Sequence, residues 1–217
     1  MLSKIKFPQV KLARKDGLLC IGGDLLPDTI LTAYKSGIFP WPPDEETLLW
    51  FSPPDRAVLF FEEITINRTL KKAISKISKD GFQFTVNTAF SEVIKQCAIS
   101  NNRTTEDTWI TNKMIKAYCK MHELGYAVSA EAWLNEKLVG GVYGIKINKY
   151  FAGESMFYKE TGASKACLLF LIENLKKTGT TWLDCQMMTP HMKALGARVL
   201  SRESFMTLLE DALQLQK

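Results

Sequence analysis

The stretch 126–157, YAVSAEAWLNEKLVGGVYGIKINKYFAGESMF, decides the fold. Residues 126–134, 137–147 and 149–157 are rich in β-branched, aromatic and small apolar side chains, and only Asn135-Glu136 and Asn148 interrupt them. Breaks that short leave room for hairpin turns and nothing longer, so the stretch predicts three strands in an antiparallel meander.

The last of these strands carries Gly153-Glu154-Ser155-Met156-Phe157, and a later strand-like segment, 181–187, carries Leu183-Asp184-Cys185-Gln186. Each sets acidic or amide groups inside an apolar run. Burying a carboxylate costs several kcal/mol unless something compensates, so two such interruptions point to a site. Alternation along 181–187 groups Asp184 with Gln186 and puts Leu183, Cys185 and Met187 on the other face, which makes Cys185 a packing residue, not a nucleophile. In the meander strand Ala152, Glu154 and Met156 oppose Phe151, Ser155 and Phe157. A site using both Phe151 and Glu154 therefore requires an irregularity, and Gly153 is the place for it.

Outside these strands the apolar period becomes helical. Asn67 caps a helix to about Lys79, Thr88 one to about Ala98, and Thr111 one that ends before Gly125. A helix at 163–177 leads into 181–187. Beyond it come a short helix at 190–195, a stop at Gly196, a strand near Arg198 and a last helix from about Arg202 to Leu215. This order predicts an α/β (α+β) fold on a mixed, largely antiparallel sheet. Seven of the eight prolines (Pro8, Pro27, Pro40, Pro42, Pro43, Pro53, Pro54) precede residue 62. The one helix read there runs about 27–36, with proline at its first turn and Gly37 after its end. The chain thus divides into a small N-terminal domain, 1–62, and a larger domain, 63–217.

Composition excludes several classes. With 217 residues and 46% hydrophobic content the chain can bury a core. No apolar run reaches membrane-spanning length and no leader pattern opens the sequence, so the expected address is cytoplasmic, with no membrane partner. Five separated cysteines and two histidines fit reduced thiols and predict no metal site. No phosphate-binding loop or dinucleotide fingerprint is present. Gly162-Ala163-Ser164-Lys165 opens a helix and reads equally as a plain helix entrance or as a holder for a phosphate or a chain terminus. The net charge of +5 and pI near 8.9 permit a polyanionic partner.

The blocks Gly17-Leu18-Leu19, Gly22-Gly23-Asp24-Leu25, Gly37-Ile38-Phe39-Pro40-Trp41, Trp50-Phe51-Ser52-Pro53, Thr108-Trp109-Ile110-Thr111, His122-Glu123-Leu124-Gly125, Gly153–Phe157 and Asp184-Cys185-Gln186 together resemble the leucyl/phenylalanyl-tRNA-protein transferase family. The resemblance implies a small N-terminal domain before a GNAT acyltransferase-like domain. It implies an enzyme that moves Leu or Phe from Leu-tRNA or Phe-tRNA to proteins with N-terminal Lys or Arg, marking them for N-end rule degradation, with no metal or coenzyme. By resemblance, Asp184, Gln186 and Glu154 are catalytic, and the family pattern gives Asp184 and Gln186 a relay that draws a proton from the attacking amine; because a neutral amide is a very poor base, the reading favoured is Gln186 as an orienter and Asp184 as its electrostatic anchor. Glu154 suits either the amino group of the aminoacyl moiety, the role favoured, or the positive acceptor. Phe151, Met156, Leu168 and Leu183 line the side-chain pocket, with Val142 where the family has Met. Trp41 and Trp109 match positions associated with the terminal adenosine. Lysines and arginines along 68–79 are candidate phosphate contacts. A GNAT acetyltransferase would need a Gln/Arg-x-x-Gly-x-Gly/Ala loop, absent here. A noncatalytic tRNA-binding protein would not need Glu154, Asp184 and Gln186 together.

Overall fold

The computed structural model describes residues 5–99 and 108–214. The meander is present as β6 (Ala127–Leu134), β7 (Lys137–Ile147) and β8 (Tyr150–Tyr158). Asn135 and Glu136 both take positive φ, 51° and 62°, the geometry of a two-residue turn whose twist matches that of its strands. Asn148 does the same at the next corner with φ 52°.

Around the meander lie β4 (Asp55–Phe60), β5 (Gln83–Val86), β9 (Trp182–Gln186) and β10 (Arg198–Ser201). The seven strands run in the order β10-β4-β9-β8-β7-β6-β5, with β8 and β9 parallel and every other pair antiparallel. The sequence reading omitted β5, and it took the segment before residue 62 as poor in regular structure. The large sheet in fact begins at Asp55, ahead of that boundary. A separate three-stranded sheet joins β1 (Leu18–Ile21), β2 (Phe39–Pro40) and β3 (Leu49–Phe51).

The helices are α1 (Pro27–Lys35), α2 (Arg68–Lys79), α3 (Phe90–Ile99), α4 (Asn112–Glu123), α5 (Ala163–Lys176), α6 (Pro190–Ala194) and α7 (Arg202–Leu213). Two of the predicted caps form: Asn67 accepts the Leu70 amide at 2.9 Å and Thr111 that of Met114 at 3.2 Å. The last helix ends at Leu213; Leu215 lies outside the described residues. Helices α5 and α2 cover one face of the sheet, burying Phe151, Leu168, Leu171 and Leu183. The other face carries α1, α3, α4 and α7 over Tyr34, Tyr118, Tyr143, Tyr150 and Phe157. Because α1 supplies Ile30 and Tyr34 to that core, the N-terminal segment is welded to the large sheet. The close approach of α5 depends on Gly140, where an added Cβ would sit 2.6 Å from that of Ala163.

Three irregularities in the sheet create room for polar groups. Tyr143 pairs with Ser155 and Gly144 with Gly153, so Glu154 is an extra residue that bulges out of β8. Beside it Gly144 admits no side chain, since a Cβ would come within 2.2 Å of the Ala152 carbonyl oxygen. In β9 a second bulge sets Val58 opposite Asp184 and Ala57 opposite Gln186. Finally, β8 and β9 pair only at Ala152 and Asp184, and where their ladder stops a cavity opens between them.

Candidate active site

Asp184 is wholly buried and holds Arg56 from β4 in a two-pronged ion pair, Nε to Oδ1 at 2.8 Å and Nη2 to Oδ2 at 2.7 Å. The Tyr150 hydroxyl donates to Oδ2 at 2.6 Å and the Gln186 backbone amide to Oδ1 at 2.9 Å. Each carboxylate oxygen thus accepts two hydrogen bonds. Arg56 also donates to the Gly37 carbonyl at 3.2 Å and lies between the rings of Phe39 and Phe205, 4.7 and 4.5 Å from their centroids. Burial is the largest single influence and disfavours the guanidinium, but the charge and hydrogen bonds of Asp184 together with Tyr150 outweigh it, and the net shift of the Arg56 pKa is upward. Arg56, Tyr150 and the Gln186 amide together occupy both oxygens of Asp184.

The bond from the Gln186 amide to Asp184 supports a left-handed backbone at Gln186, φ 56°, which is strained for a residue with a Cβ. That turn aims the side chain at Glu154, and Nε2 donates to Oε1 at 3.1 Å. Glu154 also receives Tyr34 at 2.7 Å on Oε1 and contacts Tyr118 at 3.3 Å on Oε2. The two tyrosine oxygens are 2.5 Å apart. One edge of Glu154 reaches the cavity, while its carboxyl is enclosed by protein atoms. Burial is the largest influence on it and raises its pKa from the ordinary carboxylate range to about 8. Burial likewise raises the Tyr34 and Tyr118 hydroxyls, with Glu154 adding to the shift.

The cavity, of about 910 Å³, is lined by Val142, Gly153, Glu154, Met156, Leu168, Leu183, Cys185 and Gln186, and toward its rim by Ser164, Lys165 and His191. The structure therefore brings together Glu154, Gln186, Met156, Leu168 and Leu183. Phe151, expected in the lining, is fully buried behind it in the same core as Met156, Leu168 and Leu183. Asp184 too is set back from the cavity and reaches it through Gln186. Trp41 and Trp109 lie outside the lining and contact each other, centroids 6.0 Å apart, in an aromatic group with Phe39 and Phe51. Cys185 packs against the α5-side core, and burial pushes its thiol pKa upward. Among the described residues no three His, Cys, Asp or Glu side chains converge as metal ligands.

Comparison with known proteins gives this arrangement its context. The family model of leucyl/phenylalanyl-tRNA protein transferase matches residues 58–210, and that of the N-terminal domain of the same family matches 23–54. The chain belongs to this family. It is accordingly an aminoacyltransferase acting between tRNA and protein. A leucyl/phenylalanyl-tRNA–protein transferase of Syntrophus aciditrophicus is 46% identical over 210 residues, covering 97% of this chain and 87% of its own. One of Flavobacterium johnsoniae is 45% identical over 205 residues, covering 94% and 95%. Among solved structures, L-PGS of Bacillus licheniformis superposes with a TM-score of 0.50 over 87% of this chain and 71% of that one. At 12% identity the likeness is one of fold.

The sequence reading missed Arg56, Tyr34, Tyr118 and Tyr150. Arg56 carried the same signal as the acidic residues: in Asp55-Arg56-Ala57-Val58-Leu59-Phe60 a lone cation precedes four apolar residues. The tyrosines carried none, because on a helix face such as Met114, Tyr118 and Met121 a ring with a hydroxyl looks like core.

Proposed function

We propose that the cavity between β8 and β9 takes the aminoacyl end of Leu-tRNA or Phe-tRNA and presents its ester to the α-amine of a protein beginning with Lys or Arg. The new C–N bond forms as the C–O bond to the tRNA hydroxyl breaks, and the surplus proton on nitrogen leaves with the departing oxygen. Glu154 holds the amino group of the aminoacyl moiety. Met156, Leu168, Leu183 and Val142 surround its side chain, and a thioether beside branched aliphatics accepts both leucine and phenylalanine. Phe151 backs that wall. Trp41 and Trp109 stack on the terminal adenosine.

The observation that carries this reading is the hydrogen-bonded line Arg56–Asp184–Gln186–Glu154, which ends at the cavity. Arg56, Tyr150 and the Gln186 backbone amide all donate to Asp184 and the link to Glu154 is a neutral side-chain amide, so the line fixes positions and does not remove protons. The Gln186 amide oxygen is left to accept from the attacking amine. An α-amine with an ordinary pKa near 8 is already partly neutral at pH 7, so alignment and charge complementarity supply the acceleration. We place the reaction in the cytoplasm, where the product enters N-end rule degradation. No described helix is long and apolar enough to cross a membrane.

The test is to mix the protein with labelled Leu-tRNA and peptides beginning with Lys, Arg or Ala. Label should pass to the first two and not the third. Transfer to none of them, or equally to all three, overturns the reading.

A further inference from the structure

The oxygens of Glu154, Tyr34 and Tyr118 form a triangle: Tyr34 to Tyr118 at 2.5 Å, Tyr34 to Oε1 at 2.7 Å and Tyr118 to Oε2 at 3.3 Å. Each of these contacts needs one hydrogen to be attractive, and two tyrosine hydroxyls supply only two. If Glu154 is ionised, one side of the triangle sets lone pairs against lone pairs, in a pocket where both tyrosines have no exposed surface. A proton on Oε2 completes the set. Oε2 then donates to Tyr118, Tyr118 to Tyr34, and Tyr34 to Oε1, which also accepts from the Gln186 amide.

We propose that Tyr34 and Tyr118 are positioning residues that close a ring of three hydrogen bonds around Glu154 and hold it as a neutral carboxylic acid in the empty site. Of the charged neighbours one favours the neutral acid and one opposes it, and burial outweighs both. Asp184 on β9 adds negative charge nearby, Arg56 on β4 is neutralised by Asp184, and Tyr150 on β8 and Tyr143 on β7 are buried phenols. The enclosure that raises the Glu154 pKa acts in the same direction. The consequence for substrate rests on the proposed function: if Glu154 receives the aminoacyl amino group, entry of an ammonium releases the ring proton to solvent through the open cavity and leaves a carboxylate paired with the ammonium. A ligand without that amine leaves the acid intact. Deacylated tRNA, the product, then meets a site with no charge to offer, which favours its exchange for a charged substrate.

The experiment is infrared difference spectroscopy of the full chain against pH. A carbonyl band of a protonated carboxyl should be present at pH 7, vanish as pH rises through about 8 and be missing in Glu154→Gln. Tyr34→Phe and Tyr118→Phe open the ring, removing either the lone-pair clash that penalises the carboxylate or the acceptor of the Oε2 proton, so each should move the midpoint of the band to lower pH; a midpoint that rises instead overturns the ring. Residues that merely fill space would lower the melting temperature and leave the midpoint in place. Absence of a Glu154-dependent band at pH 7, or an unmoved midpoint in both tyrosine variants, overturns the ring. The functional reading is tested separately with adenosine bearing L-phenylalanine in 3′-amide linkage, and with its N-acetylated counterpart. The free amine should abolish the band at about pH 6.5 and the acetylated compound should not. If the band persists with bound free amine, the ring stands and Glu154 is not the ammonium partner.

Discussion

Arg56 and Asp184 are worth most as a pair. Removing one partner of a buried ion pair leaves the other charge without water, at a cost of about 3–5 kcal/mol, whereas the pair itself contributes little net stability. Asp184→Ala and Arg56→Ala should therefore each lower thermal stability by that order and abolish transfer, the first because Gln186 loses the bond that holds its backbone turn and the second because Asp184 loses the partner that fixes it. Denaturation curves together with single-turnover transfer check this. An Asp184→Ala protein as stable as the parent but inactive would make Asp184 a proton carrier instead. Glu154 behaves in the opposite sense. Its pKa is raised in the folded state to about 8, so between the unfolded carboxylate value near 4.5 and about 8 the folded protein binds the extra proton and its stability falls as pH rises. Glu154→Gln, which keeps the shape of the neutral acid, should thus be more stable than the parent at about pH 8, on the order of 4 kcal/mol, and equal to it below about pH 4.5. Urea titrations at the two pH values measure the difference.

At the level of single elements, the bulge in β8 is the part on which the site turns. It gives Met156 the same face as Phe151 and frees Glu154 to meet the tyrosines across the sheet. Gly144→Ala would drive a methyl group against the Ala152 carbonyl and the Phe151 ring, so it should cost about 2 kcal/mol or more and reduce transfer beyond what the stability loss explains. Comparing activity at a temperature where both proteins are fully folded separates the two effects. The meander was legible because its alternation is long and its turns carry Asn. The need for an irregularity at Gly153 was legible because strand parity cannot otherwise serve both faces. Strand β5 was not, since four residues between Gly81 and Asn87 become a strand only through their partners on β6. Strand β4 was hidden behind Pro53-Pro54, and with it Arg56. Hydroxyls on apolar helix faces gave no warning, because a buried phenol needs a partner that only the tertiary fold reveals.

For the molecule as a whole, a net charge of +5 and exposed Arg68, Lys71 and Lys72 on α2 fit a backbone-reading surface. The concentration of aminoacyl-tRNA needed for half-maximal rate should rise steeply with salt, while binding of an aminoacyl-adenosine fragment, which has no phosphates, should barely respond. Lys71→Glu with Lys72→Glu should flatten that salt response; an unchanged slope places the tRNA elsewhere.

The contacts that make the site also span long stretches of chain: Arg56 meets Asp184 across 128 residues and Tyr34 meets Glu154 across 120. During synthesis, Tyr34 and Arg56 therefore wait, solvated and unpartnered, until β8 and β9 have been made. A ribosome-bound fragment lacking β9 carries neither Asp184 nor Gln186, so on the proposed mechanism it should transfer nothing.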